Sequence, residues 1–317
     1  MSTKKLGLRK GEADLLNFLG NTPLLKLSAA NPTAANIYSK VEFLNPGGSI
    51  KTRTAYGMIM AAEENGEINK DSIIVEPTSG NQGIGLSMVG ALRGYKVKIV
   101  MPESMSMERR KMMTAYGADL VLTPEGEDIT ETFEVVKAKA QALKEEDPRV
   151  YIPNQFENQA NPEIHRRTTA LEILEQVDGK IDAFVAGVGT GGTLTGVGEV
   201  LKAHYPDVKV VAVEPENAAV LTGGNVSSHI QQGIGDGFIP GVLNQDLIDD
   251  VIVVSCEDAL ETARTLCLKE GAMVGVSSGT NIWAAYKLAE KLPRGANIVT
   301  VFPDGGDRYF STNLFQG

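Results

Sequence analysis

Apolar and polar positions along this chain follow two alternating periods. Short β-branched runs such as Ile73-Ile74-Val75, Val97-Lys98-Ile99-Val100 and Leu120-Val121-Leu122 have the length and composition of buried strands. Between them, apolar residues return every three or four positions. This spacing predicts helices over 83–92, over 105–116 with Gly117 closing the last turn, and over about 130–145. An apolar helix over 55–62 precedes this set. A second set begins near Tyr151. It predicts strands over 181–188, 208–213, 248–254 and 298–302, and helices over 194–204, 257–270 and 280–292. Such β-α-β-α alternation implies parallel sheet with right-handed crossovers. The predicted fold class is α/β, with two doubly wound lobes. Ligands of open α/β sheets sit at the carboxyl ends of strands, so the loops that follow strands are the ones to read for chemistry.

Composition narrows the function classes. Across 317 residues, 42% are hydrophobic and 22% charged, an ordinary globular balance with enough core for two domains. Lys plus Arg is 30 against 40 for Asp plus Glu, a net charge of −10. That balance argues against a nucleic-acid or membrane-surface partner, since both need clustered cations. No apolar run has the length of a membrane span, and no apolar stretch follows Lys4-Lys5 as in a secretory signal. Cys256 and Cys267 are the only cysteines, and His165, His204 and His229 are scattered singly. No structural zinc or other metal is expected from so few soft ligands, and a reducing cytoplasm is the expected location.

Three glycine-bearing loops carry candidate chemistry. In the first, Gly187-Val188-Gly189-Thr190-Gly191-Gly192-Thr193 follows a strand and opens a helix. Glycines let the backbone approach an anion, and the helix start supplies free N–H groups and a positive dipole end, which together predict a phosphate site. The same loop fits the dinucleotide pattern, with Glu214 lying 22 residues beyond Gly192 (214 − 192), so a nicotinamide enzyme has to be weighed from this loop alone. In the second, Glu76-Pro77-Thr78-Ser79-Gly80-Asn81-Gln82-Gly83 sets hydroxyls and amides at a helix start, where they suit a carboxylate or act simply as a cap. In the third, Lys51 follows the turn Asn45-Pro46-Gly47-Gly48 and leads into an apolar helix. A lysine partly desolvated there has a lowered pKa and favours a Schiff base.

Taken together, these loops resemble those of the fold-type II pyridoxal-phosphate enzymes, and most closely the cysteine synthase (O-acetylserine sulfhydrylase) and cystathionine β-synthase family. The resemblance runs from Leu19-Gly20-Asn21-Thr22-Pro23-Leu24 to Asp307-Arg308-Tyr309-Phe310-Ser311-Thr312. It also takes in Gln155-Phe156-Glu157-Asn158, Asn161-Pro162-Glu163-Ile164-His165 and Gly233-Ile234-Gly235. So many ordered matches displace the dehydrogenase reading. The resemblance implies a tryptophan synthase β-like fold with pyridoxal 5′-phosphate in the cleft between two lobes. Residues 44–150 would form the smaller lobe, with the substrate-carboxylate loop, and 1–43 plus 151–317 the larger, with the phosphate loop. A homodimer is implied, with no room for the regulatory domains of longer β-synthases. Lys51 matches the lysine that forms the Schiff base, and Asn81 the asparagine beside the cofactor's phenolic oxygen. Gly189, Thr190, Gly191, Gly192 and Thr193 match the phosphate loop, and Ser277 the serine at the pyridine nitrogen. Thr78, Ser79, Asn81 and Gln155 match groups that bind the substrate carboxylate, with Gln82 beside them. The implied chemistry is β-elimination or β-replacement on a β-substituted L-alanine such as L-cysteine or O-acetyl-L-serine. It passes through an aminoacrylate, with sulfide as product or nucleophile.

Three positions depart from the usual cysteine synthase pattern. Gln82 stands where Thr is typical, Thr52 where Asp is typical, and Asp236, in Gly233-Ile234-Gly235-Asp236-Gly237-Phe238, where a small residue is usual. The resemblance implies that this last loop borders the reacting Cβ, where a carboxylate should repel hydrosulfide and activate water. The expected reaction is therefore L-cysteine plus water to L-serine plus hydrogen sulfide, with Asp236 catalytic beside Lys51. The alternatives are ordinary cysteine synthesis from O-acetylserine and sulfide, or another β-replacement of cystathionine β-synthase type.

Overall fold

A computed structural model describes residues 15–78, 80–127 and 129–315. The chain enters with β1 (Leu24–Lys26) and β2 (Asn36–Val41), then crosses through α1 (Lys51–Glu64). It continues as β3 (Ile73–Pro77), α2 (Asn81–Arg93), β4 (Lys96–Pro102), α3 (Met107–Ala115), β5 (Asp119–Thr123), α4 (Ile129–Glu146) and β6 (Val150–Tyr151). It returns through α5 (Ala160–Ile164), a π-helical turn at His165–Thr169 and α6 (Ala170–Gln176). The remaining elements are β7 (Ala183–Gly187), α7 (Gly192–His204), β8 (Lys209–Pro215), β9 (Asp250–Val254), α8 (Cys256–Glu270), α9 (Val276–Ala289) and β10 (Asn297–Phe302).

Two sheets result. One has the order β1-β2-β10-β7-β8-β9, the other β5-β4-β3-β6. Every pairing is parallel except β1 with β2. Helices cover both faces, so central strands read as nearly continuous apolar runs, as in Ala183-Phe184-Val185-Ala186, all buried. Each strand and helix predicted from the periodicity is present, with ends shifted by a few residues. Three strands are absent from that prediction: β1, β2 and the two-residue β6. β2 (Asn-Ile-Tyr-Ser-Lys-Val) pairs with β10 along its whole length, yet Ser39 and Lys40 interrupt its apolar run. Both residues are fully buried, so tertiary contacts override the sequence signal.

Lys40 belongs to a buried ionic cluster that anchors α1. Arg53 forks onto Glu42 at 2.8 and 2.9 Å and onto Glu172 at 2.7 and 2.7 Å. Lys40 Nζ meets Glu172 at 2.7 Å and Gln176 at 2.8 Å. Two cations face two carboxylates, so the set is neutral and each fork is bidentate. It ties α1, whose first residue is Lys51, to β2 and α6 of the larger sheet. Helix α1 is held on its other side by α2, where Gly85 allows close approach. A Cβ on Gly85 would lie 3.0 Å from the Lys51 carbonyl oxygen and 3.1 Å from Ala55. Replacing Arg53 by leucine leaves two buried carboxylates short of their partner. Urea unfolding of Arg53→Leu should show a loss on the order of 3–5 kcal/mol, well beyond that of an exposed charge such as Lys137→Leu.

Candidate active site

The three loops converge at the carboxyl ends of the strands. Lys51 opens α1 after a turn in which Gly47 and Gly48 take left-handed φ of 78° and 74°. Its Nζ donates to Thr190 Oγ1 at 3.3 Å, which also accepts from Asn161 Nδ2 at 3.0 Å. Lysine and glycine loop, 139 residues apart in sequence, are thus in contact. Burial pushes the Lys51 amine down to about 8 from 10.5, against the opposing pull of Asp236 and Glu76.

The glycine loop is shaped by close approach. A Cβ on Gly189 would lie 2.2 Å from the Gly233 carbonyl oxygen, and one on Gly192 2.1 Å from Asn161 Oδ1. Gly191, with φ of +80°, caps α7 and turns its first N–H groups toward the cleft end of β7. Thr193 stands in that first turn, 3.4 Å from His165 Nε2. His165 sits on the π-helical turn, and its Nδ1 meets Thr169 Oγ1 at 2.9 Å. Burial, then the nearby Arg53 and Lys51, holds this imidazole well below its usual pKa, and so neutral. Glu214 serves no ribose: its carboxylate accepts from the Leu221 and Thr222 backbones at 2.8 and 3.1 Å and from Thr222 Oγ1 at 2.7 Å.

The second loop ends β3 and opens α2. Thr78 Oγ1 accepts from Gly80 N at 3.3 Å, and Asn81 is the first residue of the helix. Gln82 is buried at 1% exposure, and both its amide atoms lack a hydrogen-bond partner. Ser79 lies outside the described residues. Gln155 is buried, its backbone N–H donating to Glu76 at 3.1 Å. Ser277 lies buried in the first turn of α9.

Asp236 occupies a loop whose glycines 233, 235 and 237 all have positive φ, at 90°, 69° and 84°. Gly235 N donates to Val188 O at 2.9 Å, which fastens this loop to the start of the glycine loop. Asp236 is half-buried. Burial raises its carboxyl pKa, while Lys51 and then His229 oppose the shift. His229 Nε2 donates to the Gly235 carbonyl at 2.9 Å, since a carbonyl only accepts. Beside this loop Phe238 packs on Phe133 of α4 and on Phe156, with ring centroids 5.1 and 5.0 Å away.

The sequence profile of the pyridoxal-phosphate dependent enzymes matches residues 15–304. Over 305 residues the chain is 50% identical to a cysteine synthase of Staphylococcus aureus, covering 96% of this chain and 97% of that one. The chain belongs to the cysteine synthase family of pyridoxal-phosphate dependent enzymes. Its fold superposes on an O-ureido-L-serine synthase with a TM-score of 0.90 at 43% identity, covering 96% of this chain and 95% of the other. A hydrogen sulfide-producing enzyme of Fusobacterium nucleatum superposes with a TM-score of 0.89 at 40% identity, covering 96% and 99%. The chain is accordingly a pyridoxal-phosphate dependent enzyme of β-elimination or β-replacement.

The residues present fit that cofactor. An amine held out of water faces a glycine loop with no room for side chains at a helix N-terminus, the donor set that suits a phosphorylated aldehyde. Four further residues take part that motif reading left without a role. Asn161 carries Thr190. Glu76 is buried, its carboxyl pushed up to about 7 by burial, and accepts from the Asn154 and Gln155 backbones. Asp304 and Arg308 grip Asn81. A buried Glu ahead of the second loop and an Asp-Gly-Gly-Asp-Arg run after the last strand were the available signals.

The glycine geometry and the lysine environment are separately testable. Gly189→Ala must displace the Gly233 carbonyl or the loop itself. Equilibrium dialysis of this variant should show cofactor affinity down by about tenfold or more, a cost of at least ~1.4 kcal/mol. Lys51 is charged below its folded pKa of about 8, so loading of apoprotein should accelerate as pH rises to about 8 and then level off. Its folded pKa lies below the unfolded value of 10.5, so the unfolded chain binds more protons across that window. Lys51→Met apoprotein should therefore be more stable than wild type at pH 7 in urea melts. The gain should shrink as pH approaches 10.5.

Proposed function

We propose that the protein converts L-cysteine and water to L-serine and hydrogen sulfide. Asp236 is the observation that carries the reading. It puts a carboxylate in the electrostatic neighbourhood of the Lys51 amine, on a loop tied to the glycine loop. In the balanced reaction the cysteine C–S bond breaks, a C–O bond from water takes its place, and the water proton ends on sulfide. An anionic neighbour disfavours hydrosulfide as the attacking species and favours removal of a proton from neutral water.

Pyridoxal phosphate, when bound, supplies the electron sink that makes an amino acid's α-proton and β-substituent labile. The residues of this chain hold and use it. The N–H groups and hydroxyls of Gly189, Thr190, Gly191, Gly192 and Thr193 receive its phosphate. Asn81 meets its phenolic oxygen, and Ser277 its ring nitrogen. A neutral serine hydroxyl there withdraws less charge from the ring than a carboxylate pair would sustain, which suits loss of a β-substituent. Thr78, Ser79, Asn81, Gln82 and Gln155 orient the substrate carboxylate at the α2 N-terminus. Lys51 Nζ, neutral above about pH 8, takes the α-proton. The Asp236 carboxylate then takes the proton of the attacking water, while Phe133, Phe156 and Phe238 limit bulk solvent beside it. Residues 44–150 form the smaller lobe that closes on substrate. The sheet β5-β4-β3-β6 supports this division and extends it to Tyr151.

Purified holoenzyme given L-cysteine alone should release sulfide with an equal amount of serine. Asp236→Asn should lower serine formation by about 100-fold or more, the usual worth of a general base, while retaining bound cofactor. An unchanged rate in that variant removes Asp236 from the chemistry. Pyruvate in place of serine means elimination without water addition at Cβ. Little sulfide from cysteine, with rapid cysteine formation from O-acetylserine and sulfide, means an ordinary cysteine synthase. Asp236 must be ionised to act, so serine formation should fall with acidification at a pH above the ordinary aspartate range.

A further inference from the structure

Just after β10, a buried network closes on the asparagine at the start of α2. Asn81 Nδ2 donates to Asp304 Oδ2 at 2.6 Å, and Arg308 Nη1 donates to Asn81 Oδ1 at 2.5 Å. Asp304 and Arg308 are 1% and 2% exposed. The guanidinium can only donate and an ionised carboxylate can only accept, so the amide between them has a single orientation. One Nδ2 hydrogen is spent on Asp304 and the other is left to donate.

Two opposite buried charges would ordinarily pair directly, because an uncompensated buried charge is costly. Among the described residues Asp304 and Arg308 form no ion pair with each other; the Asn81 amide stands between them. Asp304 is itself fixed. Tyr309 Oη donates to the same Oδ2 at 2.7 Å, and Gly275 N donates to the Asp304 carbonyl at 3.2 Å. A Cβ on Gly275 would lie 2.1 Å from Asp304 Oδ1, so only glycine leaves the carboxylate its place. Arg308 Nη2 also donates to the Gly47 carbonyl at 3.1 Å, in the turn leading to Lys51. Ile50 N donates to Pro303 O at 2.8 Å, and Ser49 bridges Asp304. One segment, 303–309, therefore grips both the asparagine and the approach to the lysine.

We propose that Asp304 and Arg308 are positioning residues that clamp the Asn81 amide with an Nδ2 hydrogen facing the cofactor's phenolic oxygen. This rests on the reading of Asn81 as the partner of that oxygen. A donor there favours the deprotonated oxygen, and with it the visible absorbance band of the bound cofactor over the near-ultraviolet one. Without its two charged anchors the amide is free to rotate, and the polarisation along the chain is lost.

The test is the ratio of those two bands in holoenzyme variants Asn81→Ala, Asp304→Asn, Arg308→Lys and the doubles with Asn81→Ala, with thermal melts confirming the fold. Asn81→Ala should lower the ratio about fivefold, which corresponds to roughly 1 kcal/mol, the net worth of one hydrogen bond. Asp304→Asn should lower it by a comparable amount, Arg308→Lys by less, and neither should add to Asn81→Ala. If Asn81→Ala shifts the ratio while Asp304→Asn and Arg308→Lys leave it unchanged, the clamp is wrong and the role of Asn81 stands. Equal effects of Asp304→Asn with and without Asn81 also overturn the clamp, since the residue would then act by another route. No shift in Asn81→Ala overturns the reading of Asn81 and the clamp with it. If Asp304→Asn does not fold, the Arg308→Lys pair decides on the same criteria.

Discussion

Keeping the Lys51 amine out of water is the constraint on which the rest of this structure depends. An ammonium loses much of its solvation on burial, and here that loss brings the amine within reach of neutrality at mildly alkaline pH. Two carboxyl groups, Asp236 and Glu76, sit in its field, and burial raises both. None of the three groups keeps its solution behaviour: the amine limits how far each carboxyl is raised, and the two carboxyls limit how far the amine is lowered. Such mutual perturbation in a cleft marks a reactive centre.

The amine's position comes from elements far apart in sequence. Helix α1 is pinned from below by the neutral ionic cluster of Lys40, Glu42, Arg53 and Glu172, and from the side by α2 across Gly85. The segment after β10 holds the turn that precedes the lysine. The glycine loop presses against Gly233, which in turn presents Asp236. The ionic cluster and the segment after β10 join the lysine's surroundings to groups that are immobile because they are buried and paired. Rigid elements thus place the reacting side chains, and the glycines permit their approach.

The architecture is shared with proteins of different reaction. A cysteine synthase, an O-ureido-L-serine synthase and a hydrogen sulfide-producing enzyme all match nearly the full length of this chain. The fold therefore sets the cofactor and the class of chemistry, and leaves the choice of leaving group and nucleophile to a few side chains at the cleft. Under the proposed reaction, Asp236 makes that choice in this chain, and the buried, unpartnered Gln82 amide is the other departure from the family pattern near the asparagine loop.

The strands and helices of the alternating βα units were legible in the sequence, because burial on both faces of a parallel sheet demands apolar runs and crossover helices demand a 3.6-residue period. The glycine loop, the lysine turn and the asparagine loop were legible too, since backbone approach and helix starts restrict residue types at fixed spacings. Strand β2 was not, because Ser39 and Lys40 are buried through partners found only in the folded chain. Nor was the grip of Asp304 and Arg308 on Asn81, whose side chains meet across more than 220 residues. Local pattern determines what an element is and which loops have reactive residues. Only the tertiary structure decides which charges face one another, because desolvation and Coulomb interaction depend on distance in space and not along the chain.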